Sequence, residues 1–302
     1  MKNIVFLYLF FVLVACNRTQ EKTDAVVQTR TSGTVKLLVD ESFSSVVDDQ
    51  VAVFKSDYKD AEFTIVRGNE NKIVPAFLND SIRVIVLSRM LTEKEDKVYR
   101  SRSIVPKTSR FAIDGIALIT NADNIDSTIN VEEVIELMKG SAADKRGLVF
   151  DNAYSSTLRY FKELAKVDQL PSKGIYTLQN NNDVIKYVAE NKGFIGVVGV
   201  NWLIANNANM SEYIQRVKMM GVKDVKGKKG SNAYYKPIQA NLINGIYPFL
   251  RNVYIINAEG RDGLGTGFAN WVMSPRGQLI VLKSGLGPHK MMPREFNLKN
   301  TK

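Results

Sequence analysis

Three hydroxyl side chains in a row, Ser155-Ser156-Thr157, stand between a short apolar run, Leu148-Val-Phe150, and an apolar stripe at helical spacing, Leu158, Phe161, Leu164 and Ala165. That order reads strand, loop, helix. The hydroxyls then donate at a point where the first backbone N–H groups of a helix lack partners and its dipole is positive. Such a point suits an anion. A plain N-cap needs only one such residue, so capping alone remains open for this run. Two more loops have the same character. Asp40-Glu41-Ser42-Phe43-Ser44-Ser45 follows the run Val35–Val39 and opens a helix, and Ser88-Arg89 follows Arg83–Leu87. In a parallel sheet, loops that follow strands share one edge, so Ser42, Ser44, Ser88 and Arg89 can meet at one crevice. Phe43 offers its backbone N–H there, and Arg89 a rigid fork for an oxyanion. Arg89 equally reads as a surface arginine. Asn69, in the turn after the second strand, is a further candidate.

Catalysis finds little to work with. The chain has one histidine, His289, in a segment rich in Gly and Pro, and one cysteine, Cys16. One imidazole and one remote thiol cannot build a nitrogen- or sulfur-rich zinc site, and no G-x-S-x-G elbow occurs. The paired carboxylates Asp48-Asp49 and Glu132-Glu133 fall on predicted helices, where an exposed face or a helix start explains them. The expectation is a protein that is not an enzyme and uses no metal and no cofactor.

The formal net charge is +10 over 302 residues. An excess of this kind fits nucleic acid, an anionic surface or an anionic ligand. The basic residues are mostly dispersed, and the dense cluster Lys223–Lys229 is interrupted by glycine, which reads as a solvated loop. Nucleic acid is not the expected partner.

The N-terminus points to the cell envelope. Lys2 precedes an uncharged apolar run, Ile4–Val14, that is too short for a permanent membrane span and fits the h-region of a signal peptide. The run ends in Leu13-Val14-Ala15-Cys16, the pattern of a bacterial lipoprotein cleavage site. Residues 1–15 are expected to be a signal peptide, Cys16 the lipidated residue, and residues 16–33 a polar tether.

Positioning these groups needs a sheet. Val35–Val39, Phe63–Val66 and Arg83–Leu87 read as strands, each followed by residues at helical spacing. The alternation predicts an α/β fold with a largely parallel sheet and helices on both faces. Ile113–Ile119 reads as a further strand. A second β/α series then runs through Leu148–Phe150, the helix behind Ser155–Thr157, a helix marked by Val184, Ile185 and Val188, and the strand Phe194–Val200. Arg216–Met220 and Val253–Ile256 complete the strand predictions.

The order of these motifs resembles the PstS-like phosphate-binding proteins of ABC transporters, within the type II periplasmic-binding fold. The likeness covers most of Thr34 to Pro288. It is carried by Phe111-Ala-Ile-Asp-Gly-Ile-Ala-Leu-Ile-Thr-Asn121, by Phe194-Ile-Gly-Val-Val-Gly, by Tyr247-Pro-Phe-Leu-Arg-Asn-Val-Tyr254, and by Ser274-Pro-Arg-Gly-Gln278 with Gly285-Leu-Gly-Pro288. The resemblance implies two lobes, each a mixed sheet flanked by helices, joined by two crossing strands that serve as a hinge. Lobe I is expected over residues 34–118 plus 248–302 and lobe II over 119–247. It further implies a monomer that takes a small oxyanion, phosphate above all, into the inter-lobe cleft and hands it to a membrane permease.

The ligand motif departs from the family pattern R-x-x-G-S-G-T. Here it reads Asp151-Asn152-Ala153-Tyr154-Ser155-Ser156-Thr157, with aspartate in place of the arginine and Ser156 in place of a glycine. The aspartate that many members set against a ligand proton falls near Arg89. Charge therefore looks exchanged across the cleft, with three outcomes open: an Arg89–Asp151 pair with phosphate still bound, a changed ligand, or an envelope adaptor that binds no phosphate. The expected ligand set is Ser42, Phe43, Asn69, Ser88, Arg89, Asp151, Ser155, Ser156 and Thr157.

Overall fold

β-Branched and leucine-rich runs form the centre of the molecule because they can be buried on both faces. In the computed structural model, which describes residues 27–140, 146–204 and 208–290, the elements alternate strand and helix. β1 (Gly33–Asp40), α1 (Ser44–Asp57), β2 (Ala61–Gly68), α2 (Glu70–Leu78), β3 (Val84–Leu87) and α3 (Glu93–Arg100) form the first series. β4 (Lys107–Asn121) follows, then β5 (Thr128–Asn130), α4 (Val131–Met138), β6 (Gly147–Phe150), α5 (Ser156–Ala165), β7 (Ile175–Thr177), α6 (Asn181–Glu190) and β8 (Phe194–Gly199). The chain continues through α7 (Asn201–Ile204), α8 (Ser211–Gln215), β9 (Val217–Met219), β10 (Gly221–Lys223) and α9 (Gln239–Ile243), and closes with β11 (Leu250–Asn257), α10 (Leu264–Val272), α11 (Pro275–Lys283) and β12 (Gly287–Pro288).

The strand order is β2-β1-β3-β11-β4-β8-β6-β7, with β9 and β12 also pairing β4. β1, β2 and β3 are parallel, as are β6, β7 and β8, while β11 runs antiparallel to both β3 and β4. The fifteen-residue β4 belongs to both halves of the molecule. Its first part, to Gly115, pairs β11, and its second part, from Ile116, pairs β8 and β9. The chain returns through Tyr247-Pro248-Phe249, where Phe249 O accepts from Ile116 N at 2.9 Å and the Tyr247 hydroxyl donates to Ile116 O at 2.7 Å. The fold is thus a two-lobed α/β architecture with a mixed sheet in each lobe, and one strand runs through both.

The predicted strands fall on β1, β2, β3, β4, β6, β8, β9 and β11, with ends moved by a few residues. The short strands β5, β7 and β10 went unpredicted, while β9, equally short, was read within Arg216–Met220. β5 and β10 form a separate two-stranded sheet. Among the described residues no helix is long and apolar enough to cross a membrane. The predicted signal peptide and Cys16 lie outside the described residues.

The described part of the tether is not loose. Arg30 donates to Asp262 through Nε and Nη2 at 3.1 and 2.7 Å, and Ser32 Oγ donates to Val27 O. The segment lies against Gly267 of α10, where a methyl group would overlap the carbonyl of Arg30.

Candidate functional site

The carboxyl ends of β1 and β6 deliver their loops to the same place. Ser42 Oγ lies 3.2 Å from Ser156 Oγ, a contact between the two halves, and both residues are buried. The geometry behind each is local. Asp40 ends β1 and caps the turn over Glu41–Phe43, its Oδ1 accepting from Ser42 N at 3.1 Å. Ser155 is the N-cap of α5, accepting from Leu158 N at 3.1 Å, which leaves Ser156 and Thr157 in the first helical turn. Asn201 and Trp202 of α7 also reach across. Asn201 Nδ2 donates to Ser42 O at 3.2 Å and Ser45 Oγ at 2.9 Å, and Trp202 Nε1 donates to Ser42 O at 3.1 Å.

An arginine stands at the centre, and it is Arg251. It sits on β11, directly opposite Asp114 of β4. Its Nε donates to Asp114 Oδ2 at 2.7 Å, and its Nη1 donates to Ser156 Oγ at 3.0 Å and Thr157 Oγ1 at 3.2 Å. The guanidinium lies over the Phe43 ring, 4.8 Å from its centroid. Arg251 is only 6% exposed, yet its Nη2 has no partner. Asp40 Oδ2, Asp114 Oδ1, Asp151 Oδ1, Asn181 Oδ1 and Asn201 Oδ1 are likewise buried without a partner. Native interiors rarely leave such atoms unpaired, so their gathering here marks a place made for something polar.

The acids feel their burial. Burial pushes Asp40 up to about 6, against the pull of Arg251. Asp114 and Asp151 are raised for the same reason, opposed by Arg251 in the first case and mainly by the Ser155 hydroxyl in the second. Asp40 therefore stays ionised less readily than an ordinary carboxylate and can face a negative guest at smaller cost.

The remaining predicted residues divide. Ser42, Phe43, Ser155, Ser156 and Thr157 come together as described. Ser88 lies close by, 3.1 Å from Arg159 Nη2 and 3.5 Å from Glu70 Oε1. Arg89 is held elsewhere. Its Nε donates to Glu70 Oε2 at 2.8 Å, and its Nη1 and Nη2 donate to the two oxygens of Glu95 at 2.8 and 3.0 Å. Burial works against its charge, but these bonds outweigh it and raise the pKa. The expected Arg89–Asp151 pair is not formed; Asp151 Oδ2 instead accepts from Asn181 Nδ2 at 3.3 Å. Each charge has a nearer partner, which removes the reason for pairing. Asn69 caps α2 by accepting from Lys72 N. Arg251, Asp114, Asp40 and Arg159 were not among the residues singled out as ligands. Their signal was a charge inside an otherwise apolar strand, or one turn into a helix that faces the other lobe. No cluster of three or more His, Cys, Asp or Glu suited to a metal occurs among the described residues.

A family model described as the PBP superfamily domain matches residues 25–276. This chain belongs to the PBP superfamily. Relatives of this superfamily member include the phosphate-binding protein PstS of Pseudomonas aeruginosa, 23% identical over 285 residues that cover 85% of this chain and 83% of that protein. Its fold is similar to an ABC-type phosphate transport receptor from Vibrio cholerae (TM-score 0.62, 16% identity, 86% of this chain and all of the other). PstS from Borrelia burgdorferi gives a TM-score of 0.55 at 18% identity, again with 86% of this chain and all of the other covered. At these identities the structural likeness speaks for the fold.

Proposed function

We propose that this protein is an envelope solute-binding protein that captures a small oxyanion, phosphate above all, between its lobes for delivery to a membrane permease. The observation that carries the reading is Arg251: a buried guanidinium with one free nitrogen, fixed by Asp114 and bonded to Ser156 and Thr157, with Ser42 of the other half against Ser156. An oxyanion offers that nitrogen an acceptor. It also offers acceptors to Ser42, Ser156 and Thr157, and its own proton to Asp40. Charge-assisted bonds of this kind are about twice as strong as neutral ones, more so where water is excluded. The similarity to the phosphate-binding protein of Pseudomonas aeruginosa supports this ligand class.

The ligand set we propose is Ser42, Phe43 (through its backbone N–H), Ser156, Thr157 and Arg251, with Ser155 and Asp151 supporting the loop. Ser88 and Asn69 lie toward the rim. The lobes we assign to residues 34–118 plus 248–302 and to 119–247, and the protein we take to be a monomer anchored through lipid on Cys16. Loss of acyl labelling in Cys16→Ser cells, with the protein released from the membrane, is the outcome expected for the anchor; unchanged labelling would contradict it.

Calorimetric titration with phosphate, sulfate, molybdate and acetate tests the ligand. Phosphate is expected to bind at micromolar affinity, about 8 kcal/mol. Binding of another anion in its place would mean that the site has changed its guest, and silence toward all four would favour an adaptor that uses the fold for protein contacts.

A further inference from the structure

Outward from Ser156, the site opens into a cleft of about 360 Å³. Glu70 and Asn71 form one wall, and residues 153–168, from the loop before α5 to just past its end, form the other. That volume falls in the range of roughly 300–1,000 Å³ used for small organic ligands, and an inorganic oxyanion would fill only a small part of it. The lining changes character along its length. At the inner end are Ser155 and Ser156, both buried, with Arg251 behind Ser156. Tyr154, in the loop just before Ser155 and 65% exposed, adds an aromatic surface to the cleft wall. Arg159 follows, tied to Glu70, Ser88 and Glu163 but with its buried Nε unpartnered. Farthest along the wall are Lys162, in the last turn of α5, and Lys166, the left-handed residue that ends it. Among the described residues neither lysine is in an ion pair; of the acids on the same lining, Glu70 and Glu163 are paired with arginines, while Asp168, two residues past Lys166, is exposed.

Building on the phosphate reading above, we infer that the ligand is an organic phosphate. Its phosphoryl group occupies the inner seat at Ser42, Ser156, Thr157 and Arg251. Its organic part runs out past Tyr154 and Arg159, and a second negative group lies between Lys162 and Lys166. The two lysines lie outside the phosphoryl seat, and both reach solvent, so removing them leaves the fold and the inner seat intact.

Titration of the purified protein with inorganic phosphate, glycerol 3-phosphate and 3-phosphoglycerate tests this. 3-Phosphoglycerate, which carries both a phosphoryl and a carboxylate group, is expected to bind at least about tenfold more tightly than phosphate, a difference of about 1.4 kcal/mol. Glycerol 3-phosphate should fall between them. In Lys162→Ala/Lys166→Ala the advantage of 3-phosphoglycerate should vanish while affinity for inorganic phosphate is unchanged. Tight phosphate binding with both esters weaker would overturn the inference and leave the phosphate reading standing. An ester preference that survives in the double variant would also overturn it, because the lysines would then play no part. Failure of all three to bind would remove the phosphate reading and the inference with it.

Discussion

Arg251 of β11 and Asp114 of β4 face each other in register, with Arg251 Nε donating to Asp114 Oδ2 at 2.7 Å. Both side chains are almost wholly buried. Opposite charges placed this way on neighbouring strands attract, but burial makes each dependent on the other. The pair leaves the guanidinium fixed while its outer edge faces hydroxyls of α5. A strand residue thus presents an arginine to a helix of the other lobe, at the point where the chain bends between them.

Breaking the pair from one side should be costly. Arg251→Ala strands Asp114 as an uncompensated buried acid, for an expected loss of about 3–5 kcal/mol. Urea unfolding measures this. Asp114→Ala combined with Arg251→Ala should recover a substantial part of the loss, since no charge is then left alone. A single variant within about 1 kcal/mol of wild type would show that the pair does not hold the strands.

Asp40 sets a pH dependence. Its carboxyl ionises near 3.8 when free and near 6 in the folded protein, so the folded state holds the proton more firmly. Its contribution is therefore most favourable below pH 3.8 and is lost as pH rises through 6, by up to about 3 kcal/mol. Asp40→Asn keeps an acceptor for Ser42 N and removes the titration. The variant should be more stable than wild type at pH 7, and the two should converge below pH 4, as read from urea midpoints at both pH values. A gap that does not change with pH would contradict this.

Gly267 carries the descending N-terminal segment. A side chain there would overlap the Arg30 carbonyl, so Gly267→Ala must either displace residues 27–32 or strain α10. The expected cost is about 1–3 kcal/mol. Trypsin should cleave after Arg30 faster in the variant than in wild type, with the remaining sites unaffected. Equal cleavage rates would mean that the segment does not rest on the helix.

The division between what could and could not be read from sequence has a physical basis. β1, β3, β6 and β8 were legible because buried parallel strands are continuous apolar runs, and α5 was legible from its hydroxyl start and apolar stripe. Ser42 and Ser156 could be placed together because each loop follows a parallel strand of its own half and the family resemblance sets the two halves across a cleft. Arg251 was hidden for the opposite reason. Its role depends on β11 pairing β4 antiparallel, a long-range pairing that no local pattern encodes. Its clues were its place in the Tyr247–Tyr254 motif, read there only for the fold, and a lone arginine in register with the inward-facing Val253 and Ile255. The partners of Arg89 were also hidden, because a loop arginine after a strand looks free until α3 places Glu95 against both its terminal nitrogens.

The two arginines can be separated by experiment. Arg89→Ala leaves Glu70 with Arg159 and touches no hydroxyl of α5, so phosphate affinity should change by less than about threefold. Arg251→Lys keeps the charge but loses the fork, and should weaken phosphate binding by more than about tenfold. The reverse ranking in a calorimetric titration would move the site to Arg89.

A crystal structure of the protein grown with phosphate tests the central claim most directly. Density for the anion is expected within hydrogen-bonding distance of Arg251 Nη2, with Ser42 on one side and Ser156 and Thr157 on the other. A phosphate bound only at some other place, with Arg251 Nη2 still unpaired, would contradict it.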